Sequence, residues 1–327
     1  MTLRALIAAL ILAVPVFAGP AGAQESWPED CKLTRMAELP MSLQSGHVVI
    51  PASANGTDLM LGIDTGGYGS SLSKAGIARL KLPYAARLGA IIPAGGGAWV
   101  SEGDVHLDSL RIGDLELDRM YIPEMDALPG VDGMIGPDIL AKYDAEFDFA
   151  GKTFRLFKPH PCADRAVAWA SSYTVLPFTL TESGHVRVRV MLDGQNADAI
   201  LDTGAPISVL STQDANSMFR LNMNSADVEA ANPVSGPAWG KGIPIKAYAT
   251  TFKALTIGGV TIPDPRMELV EGRNFLGHDF ATLVLGNDVL SRFHLYIAYR
   301  QQKLYLTDAA PIEPPPASGG LDPGHRR

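Results

Sequence analysis

The chain has 327 residues, 46% hydrophobic and 19% charged, with 33 Gly and 24 Pro; this composition excludes a disordered or fibrous polymer and supplies apolar mass for a large core. Lys and Arg number 27 against 35 Asp and Glu, a formal net charge of -8 without any basic run, so nucleic-acid binding has no source of phosphate neutralisation. The seven His and two Cys show neither His-Glu-x-x-His nor Cys-x-x-Cys spacing, and no metal or other cofactor is expected.

Residues 1–23 carry Arg4, the apolar run LIAALILAVPVFAG and then Ala21-Gly22-Ala23, the charged, apolar, small-residue order of a secretory signal, with Gln24 as the expected mature N-terminus. A membrane anchor is the competing reading, but the run is short for a hydrocarbon core of about 30 Å and Pro15 interrupts it. Cys31 follows Pro-Glu-Asp rather than small residues, which argues against lipid attachment. A periplasmic or secreted protein is expected, without membrane contact after cleavage. Oxidising compartments pair thiols, so Cys31 and Cys162 are expected to form a disulfide. It would close a loop of about 130 residues, a link contributing about 4 to 5 kcal/mol before strain. Two buried free thiols or a reactive nucleophile are the alternatives.

Val48, Ile50 and Ala52 alternate up to Asn55-Gly56, and Leu59, Leu61 and Ile63 follow. This predicts a hairpin with a type I′ turn whose second strand ends at Asp64. Beyond Asp64-Thr65-Gly66 a short apolar piece ends in Leu72-Ser73, and residues 73–82 read as a helix. Residues 92–99, IPAGGGAW, form a hairpin tip in which Gly95, Gly96 and Gly97 lead to Trp99. A helical turn is predicted from Gly136, and Phe147, Phe149, Phe154 and Leu156 alternate as closing strands. Residues 158–172 read as a linker. Val186, Val188 and Val190 then lead through Asp193-Gly194 and Ala199-Ile200-Leu201 to Asp202, and residues 211–221 read as a second helix. A Pro-rich tip over 233–239 carries Gly236 and reaches Trp239. Leu295, Ile297, Leu304 and Leu306 alternate as closing strands, and residues 309–327 read as a disordered tail.

The second half repeats the first. LGIDTGGYGSSLS at 61–73 matches AILDTGAPISVLS at 199–211. Ser45-Gly46-His47-Val48 recurs as Ser183-Gly184-His185-Val186, and Asn55-Gly56 as Asp193-Gly194, at the same offset. Farther on, Leu110-Arg111-Ile112-Gly113 matches Leu255-Thr256-Ile257-Gly258. Met134-Ile135-Gly136-Pro137-Asp138-Ile139-Leu140 matches Val284-Leu285-Gly286-Asn287-Asp288-Val289-Leu290. The offset grows, so the second copy carries insertions. Two β-lobes are expected, residues 24–160 and, with the linker, 161–308. His47 and His185 open hairpin strands and read as structural rather than catalytic. Asp138 and Asp288, at the start of a helical turn, read as capping carboxylates. A phosphate-cradling loop at Gly66-Gly67-Tyr68-Gly69-Ser70-Ser71 is disfavoured, because no Lys follows and the second copy reads Ala205-Pro206-Ile207.

From about residue 38 to 308 the chain resembles the retropepsin-like and pepsin-like aspartic proteases, in an exported bacterial form with two fused copies. The resemblance rests on two apolar-apolar-Asp-Thr-Gly motifs, each followed some seventy residues later by apolar-apolar-Gly. It implies a mostly β, two-lobed barrel fold with a pseudo-twofold axis and few short helices. It also implies that Asp64 and Asp202 are the catalytic pair, with Thr65 and Thr203 hydrogen-bonding across the axis. Gly66 and Gly204 would let the backbone pass close to the carboxylates, and the Gly136 and Gly286 turns would lie beneath. The tips at Gly95, Gly96, Gly97 and Trp99, and at Gly236 and Trp239, resemble the flaps that fold over an extended peptide; surface turns with both Trp in the core are the competing reading. Two adjacent carboxylates share one proton, so one can act as base and the other as acid without a metal. Gly67 departs from the family, which has Ser, Thr or Ala there, and removes a side chain near Asp64. The resemblance thus implies an exported, monomeric aspartic endopeptidase acting on a peptide or unfolded protein segment. The alternatives are a non-catalytic peptide-binding scaffold and a processing enzyme of narrow selectivity.

Overall fold

Two consecutive residues in left-handed backbone close each hairpin that leads to an Asp-Thr-Gly loop: Asn55 and Gly56 at φ 48 and 75°, Asp193 and Gly194 at φ 47 and 77°. Positive φ at both central residues is the type I′ turn, whose twist matches that of the flanking strands. The computed structural model describes residues 33–86, 91–94, 97–125, 130–159, 167, 169–232, 234–236, 240–271 and 281–308. The expected signal 1–23, Cys31, Cys162, Gly95, Gly96, Trp239 and the expected tail 309–327 lie outside the described residues.

The strand His47–Ala54 pairs antiparallel with Thr57–Ile63. Thr57–Ile63 runs parallel to Gly133–Ile135, whose other side pairs antiparallel with Ser71–Leu72. The loop between Ile63 and Ser71 therefore passes over the end of a central strand. The second copy builds the same crossing from Val186–Leu192, Gln195–Leu201, Leu283–Leu285 and Val209–Ser211. Gly133–Ile135 and Leu283–Leu285 are wholly buried, as strands flanked by neighbours and covered on both faces must be, and neither carries a charged residue.

Each crossing is followed by a short helix, Lys74–Leu80 and Thr212–Phe219, inside the predicted spans. The hydroxyls of Ser73 and Ser211 cap them by accepting from the N–H groups of Gly76 and Asp214, and Lys81 and Arg220 end them in left-handed conformation. Pro137–Leu140 and Asn287–Leu290 are the helical turns.

Six antiparallel strands join the copies, in the order Arg35–Pro40, Thr153–Phe157, Asp144–Asp148, Phe293–Ala298, Lys303–Asp308, Thr174–Leu180. The copies meet where Ala145 pairs with Ile297 and Phe147 with Leu295. Successive residues face opposite sides of a strand. Phe147, Phe154, Leu156, Leu295, Ile297, Leu304 and Leu306 thus enter the main core, each contributing on the order of 2 kcal/mol. On the other face Phe157, Tyr296 and Tyr305 lie under Val167 and Trp169. Trp169 stacks on His294 at 3.9 Å between ring centroids and donates from Nε1 to Oγ1 of Thr307 at 3.1 Å. Part of the expected linker is therefore packed onto the shared sheet.

Candidate active site

The parallel ladder of each copy extends by one bond to its aspartate. The N–H of Asp64 donates to the carbonyl of Ile135 at 2.9 Å, and that of Asp202 to the carbonyl of Leu285 at 3.0 Å. Both aspartates thus sit at strand ends rather than on free loops. Thr65 and Thr203 follow and are fully buried. The N–H of Thr65 donates to Oγ1 of Thr203, the N–H of Thr203 donates to Oγ1 of Thr65, and the two hydroxyls donate to the carbonyls of Leu201 and Ile63, each at 2.7 Å.

This bracing brings the carboxyls of Asp64 and Asp202 into hydrogen-bond contact. Both keep part of their surface open. Oδ1 of Asp64 accepts from Gly66 N–H at 3.0 Å, and the Gly67 N–H also faces that carboxyl. Oδ1 of Asp202 accepts from Gly204 and Ala205 at 2.8 and 3.0 Å. The glycines are required by approach: a Cβ on Gly66 would lie 2.3 Å from Cγ of Asp202, and one on Gly204 2.4 Å from Cγ of Asp64. At Gly67 a Cβ would lie 2.7 Å from Oδ2 of Asp64, so the residue that departs from the family pattern is the one that leaves the carboxyl room.

Burial raises the pKa of both aspartates. For Asp202 the neighbouring charge of Asp64 raises it further, well above the ordinary carboxylate range. For Asp64 the hydrogen bond from Asp202 and the loop N–H groups work in the opposite direction. Two carboxyls in contact resist losing both protons, because that would place two like charges side by side.

Beneath each loop lies a second set of bonds. Ser70 donates to Oδ1 of Asp138 from its N–H at 2.7 Å and from its hydroxyl at 2.8 Å, and that hydroxyl accepts from Gly136 N–H at 3.0 Å. In the second copy Ser208 Oγ donates to Asp288 Oδ1 at 2.7 Å and accepts from Gly286 N–H at 3.0 Å. Asp138 and Asp288 are not the N-cap residues expected, although the Asp288 carboxyl also meets the N–H groups of Asp288 and Val289 at the start of its turn. The N-cap positions are Gly136 and Gly286, without side-chain caps, and the two carboxylates tie the Asp-Thr-Gly loops to the helical turns. The in-register recurrence of both Ser and both Asp was the available sequence signal.

His47 and His185 are buried and meet the loops directly. Nδ1 of His47 lies 2.6 Å from the carbonyl oxygen of Gly204, and Nε2 of His185 lies 2.9 Å from that of Gly67. Each histidine therefore reaches the loop of the other copy. Asn287 adds a further link, donating from Nδ2 to the carbonyls of Gly46 and Thr203 at 2.8 and 2.7 Å.

Of the expected flap residues, Gly97 and Trp99 lie in the strand Gly97–Val100, which pairs with Ile91–Ala94, Trp99 opposite Ile92. Gly236 lies in Val234–Gly236, which pairs with Gly240–Ile245 across a bulge. Gly97–Val100 and Gly240–Ile245 lie against one another, so the two hairpins meet.

A family model described as aspartyl protease matches residues 50–139 and 188–289, together more than half of the chain and one copy in each match. A search of curated protein sequences finds no match. Among solved structures, the crystal structure of an aspartic proteinase from Irpex lacteus is similar at a TM-score of 0.51 with 14% sequence identity, over 85% of this chain and 98% of that one. That likeness extends to the fold, and the family model covers both Asp-Thr-Gly motifs and both Gly turns. The chain belongs to the aspartyl protease family.

Proposed function

We propose that the protein is an exported aspartic endopeptidase in which Asp64 and Asp202 activate a water between them. The observation that carries this reading is the mutual contact of two carboxyls at equivalent strand ends, each supplied with backbone N–H donors on one oxygen. The charged member removes a proton from water as its oxygen attacks the scissile carbonyl carbon, while the protonated member donates to the carbonyl oxygen. Collapse of the resulting gem-diol breaks the C–N bond, and the leaving nitrogen takes up a proton from the pair. The two roles belong to the pair rather than to either residue.

The meeting hairpins that contain Gly97, Trp99 and Gly236 support a covered cleft for an extended peptide. Residues 1–23 support export, and export supports the Cys31–Cys162 bridge, which a mass difference of about 2 Da between oxidised and reduced chains tests.

Incubation of the purified mature chain with a diverse peptide library from acid to neutral pH, read by mass spectrometry, tests the activity. Cleavage within peptides that is lost in Asp64→Asn is expected. Peptide binding without cleavage would favour a scaffold.

A further inference from the structure

The Ser-Gly-His sequence that opens the first hairpin strand of each copy has no part in the proton chemistry, yet it recurs with its register intact. In each copy Gly46 or Gly184 stands at φ 85°. A Cβ on Gly46 would lie 2.5 Å from Cβ of Pro206, and one on Gly184 3.1 Å from Cβ of Pro137, so each turn is pressed onto the other copy. The partners are equivalent in the repeat. Gly46 meets Pro206 and accepts from Asn287, while Gly184 meets Pro137 and His185 packs edge-on against Tyr68, ring centroids 5.2 Å apart. Pro206 corresponds to Tyr68, and Asn287 to Pro137. Each copy thus seats its Ser-Gly-His turn on repeat-related segments of the other.

A carbonyl oxygen only accepts, so the ring nitrogens that face Gly204 and Gly67 are the protonated ones. Nδ1 of His47 and Nε2 of His185 are therefore the donors in these two contacts. Burial lowers the pKa of His47, against the opposing pull of the Gly204 carbonyl and the Asp64 charge, and favours a ring whose donor is Nδ1. The carbonyl that it binds belongs to the peptide between Gly204 and Ala205, whose N–H donates to Oδ1 of Asp202 at 3.0 Å. The imidazole, the peptide and the carboxyl form one chain of hydrogen bonds, each strengthening the next. His185 acts one step differently: it holds the carbonyl of Gly67, the residue whose own N–H faces Asp64.

We propose that His47 and His185 are reciprocal positioning residues, each fixing the Asp-Thr-Gly loop of the opposite copy so that its N–H groups point at the carboxyl. The inference deepens the proposed hydrolysis and rests on it for the kinetic effect, although the clasp itself is independent of turnover.

Substitutions separate the donor from the bulk. Asn places its Nδ2 as many bonds from Cα as Nδ1 of His, and Gln reaches toward the Nε2 position. His47→Asn and His185→Gln are therefore expected to retain the hydrogen bond, whereas His47→Phe and His185→Phe lose it. On a peptide substrate the Phe variants are expected to lower kcat by about 10- to 100-fold with little change in KM, and the matched variants to recover most of it. Carbon-13 titration of the aspartate carboxyls is expected to shift in the Phe variants and stay near wild type in the matched ones. Nitrogen-15 spectra of the wild type are expected to show the proton on Nδ1 of His47 and on Nε2 of His185. The opposite tautomers, or folded Phe variants with wild-type carboxyl titration, overturn the proposal. If the wild type cleaves nothing, the titration and tautomers still decide the clasp, and only the hydrolytic reading falls. If the Phe variants do not fold, the wild-type tautomers decide alone.

Discussion

The N–H of Thr65 donates to Oγ1 of Thr203 at 3.2 Å, and the N–H of Thr203 donates to Oγ1 of Thr65 at 3.0 Å. Each hydroxyl accepts from one copy and donates to a strand carbonyl of that same opposite copy, Leu201 for Thr65 and Ile63 for Thr203. Thr203→Val keeps the shape but orphans the buried Thr65 N–H and Ile63 carbonyl. A loss of about 2 to 5 kcal/mol is expected from urea unfolding. Thr203→Ser, which retains the hydroxyl, is expected to lose under about 1.5 kcal/mol.

Asp64→Asn and Asp202→Asn preserve volume while removing one member of the pair. Each is expected to retain at most about a thousandth of the wild-type kcat/KM, since neither residue supplies both base and acid. The wild-type pH profile is expected to be bell-shaped, with limbs that belong to the pair. Substantial cleavage by either variant would place the chemistry elsewhere.

The same pair sets a pH dependence of stability. Burial, and then the charge of Asp64, raises the Asp202 pKa above its unfolded value. The folded state therefore binds more protons than the unfolded one between those two values. The associated stability is present in acid and is lost as pH rises through the folded pKa. Asp202→Asn is expected to melt at a higher temperature than wild type at neutral pH. The difference should vanish below the unfolded carboxylate pKa of about 3.9. A variant less stable than wild type at neutral pH contradicts the assignment.

Gly67→Ala places a Cβ 2.7 Å from Oδ2 of Asp64 unless the carboxyl moves. Since a small displacement of a reacting group is enough to slow chemistry, kcat is expected to fall about 10-fold or more. Chemical denaturation is expected to show a loss of about 1 to 3 kcal/mol. Unchanged kinetics would mean that the loop accepts the side chain found elsewhere in the family.

Most of the scaffold was legible because it is written in local chemistry. Asn55-Gly56 and Asp193-Gly194 permit the left-handed turns, Ser73 and Ser211 cap the helices that follow, and the alternation at Phe147, Phe154, Leu295 and Leu304 predicts the strands of the shared sheet. Gly97 and Gly236 were legible as hairpin sequence, and the pairings of Ile91–Ala94 with Gly97–Val100 and of Val234–Gly236 with Gly240–Ile245 agree with that. The loop-tying roles of Asp138 and Asp288 were missed, because an acidic residue beside a helical turn has a local explanation, while the Ser that binds it comes from the distant Asp-Thr-Gly loop.

The sequence by itself determined that the chain is one unit written twice, with an Asp-Thr-Gly at the end of a strand in each copy. Turn, cap and strand preferences act between near neighbours, so those elements and their order need no knowledge of the rest. Only the tertiary structure decided which groups of one copy meet which groups of the other. His47 finds Gly204, His185 finds Gly67, and Asn287 finds Gly46, because the pairing of Asp144–Asp148 with Phe293–Ala298 sets the two copies face to face. Gly67 likewise acquired its meaning only there, where the carboxyl of Asp64 occupies the space that a side chain would need.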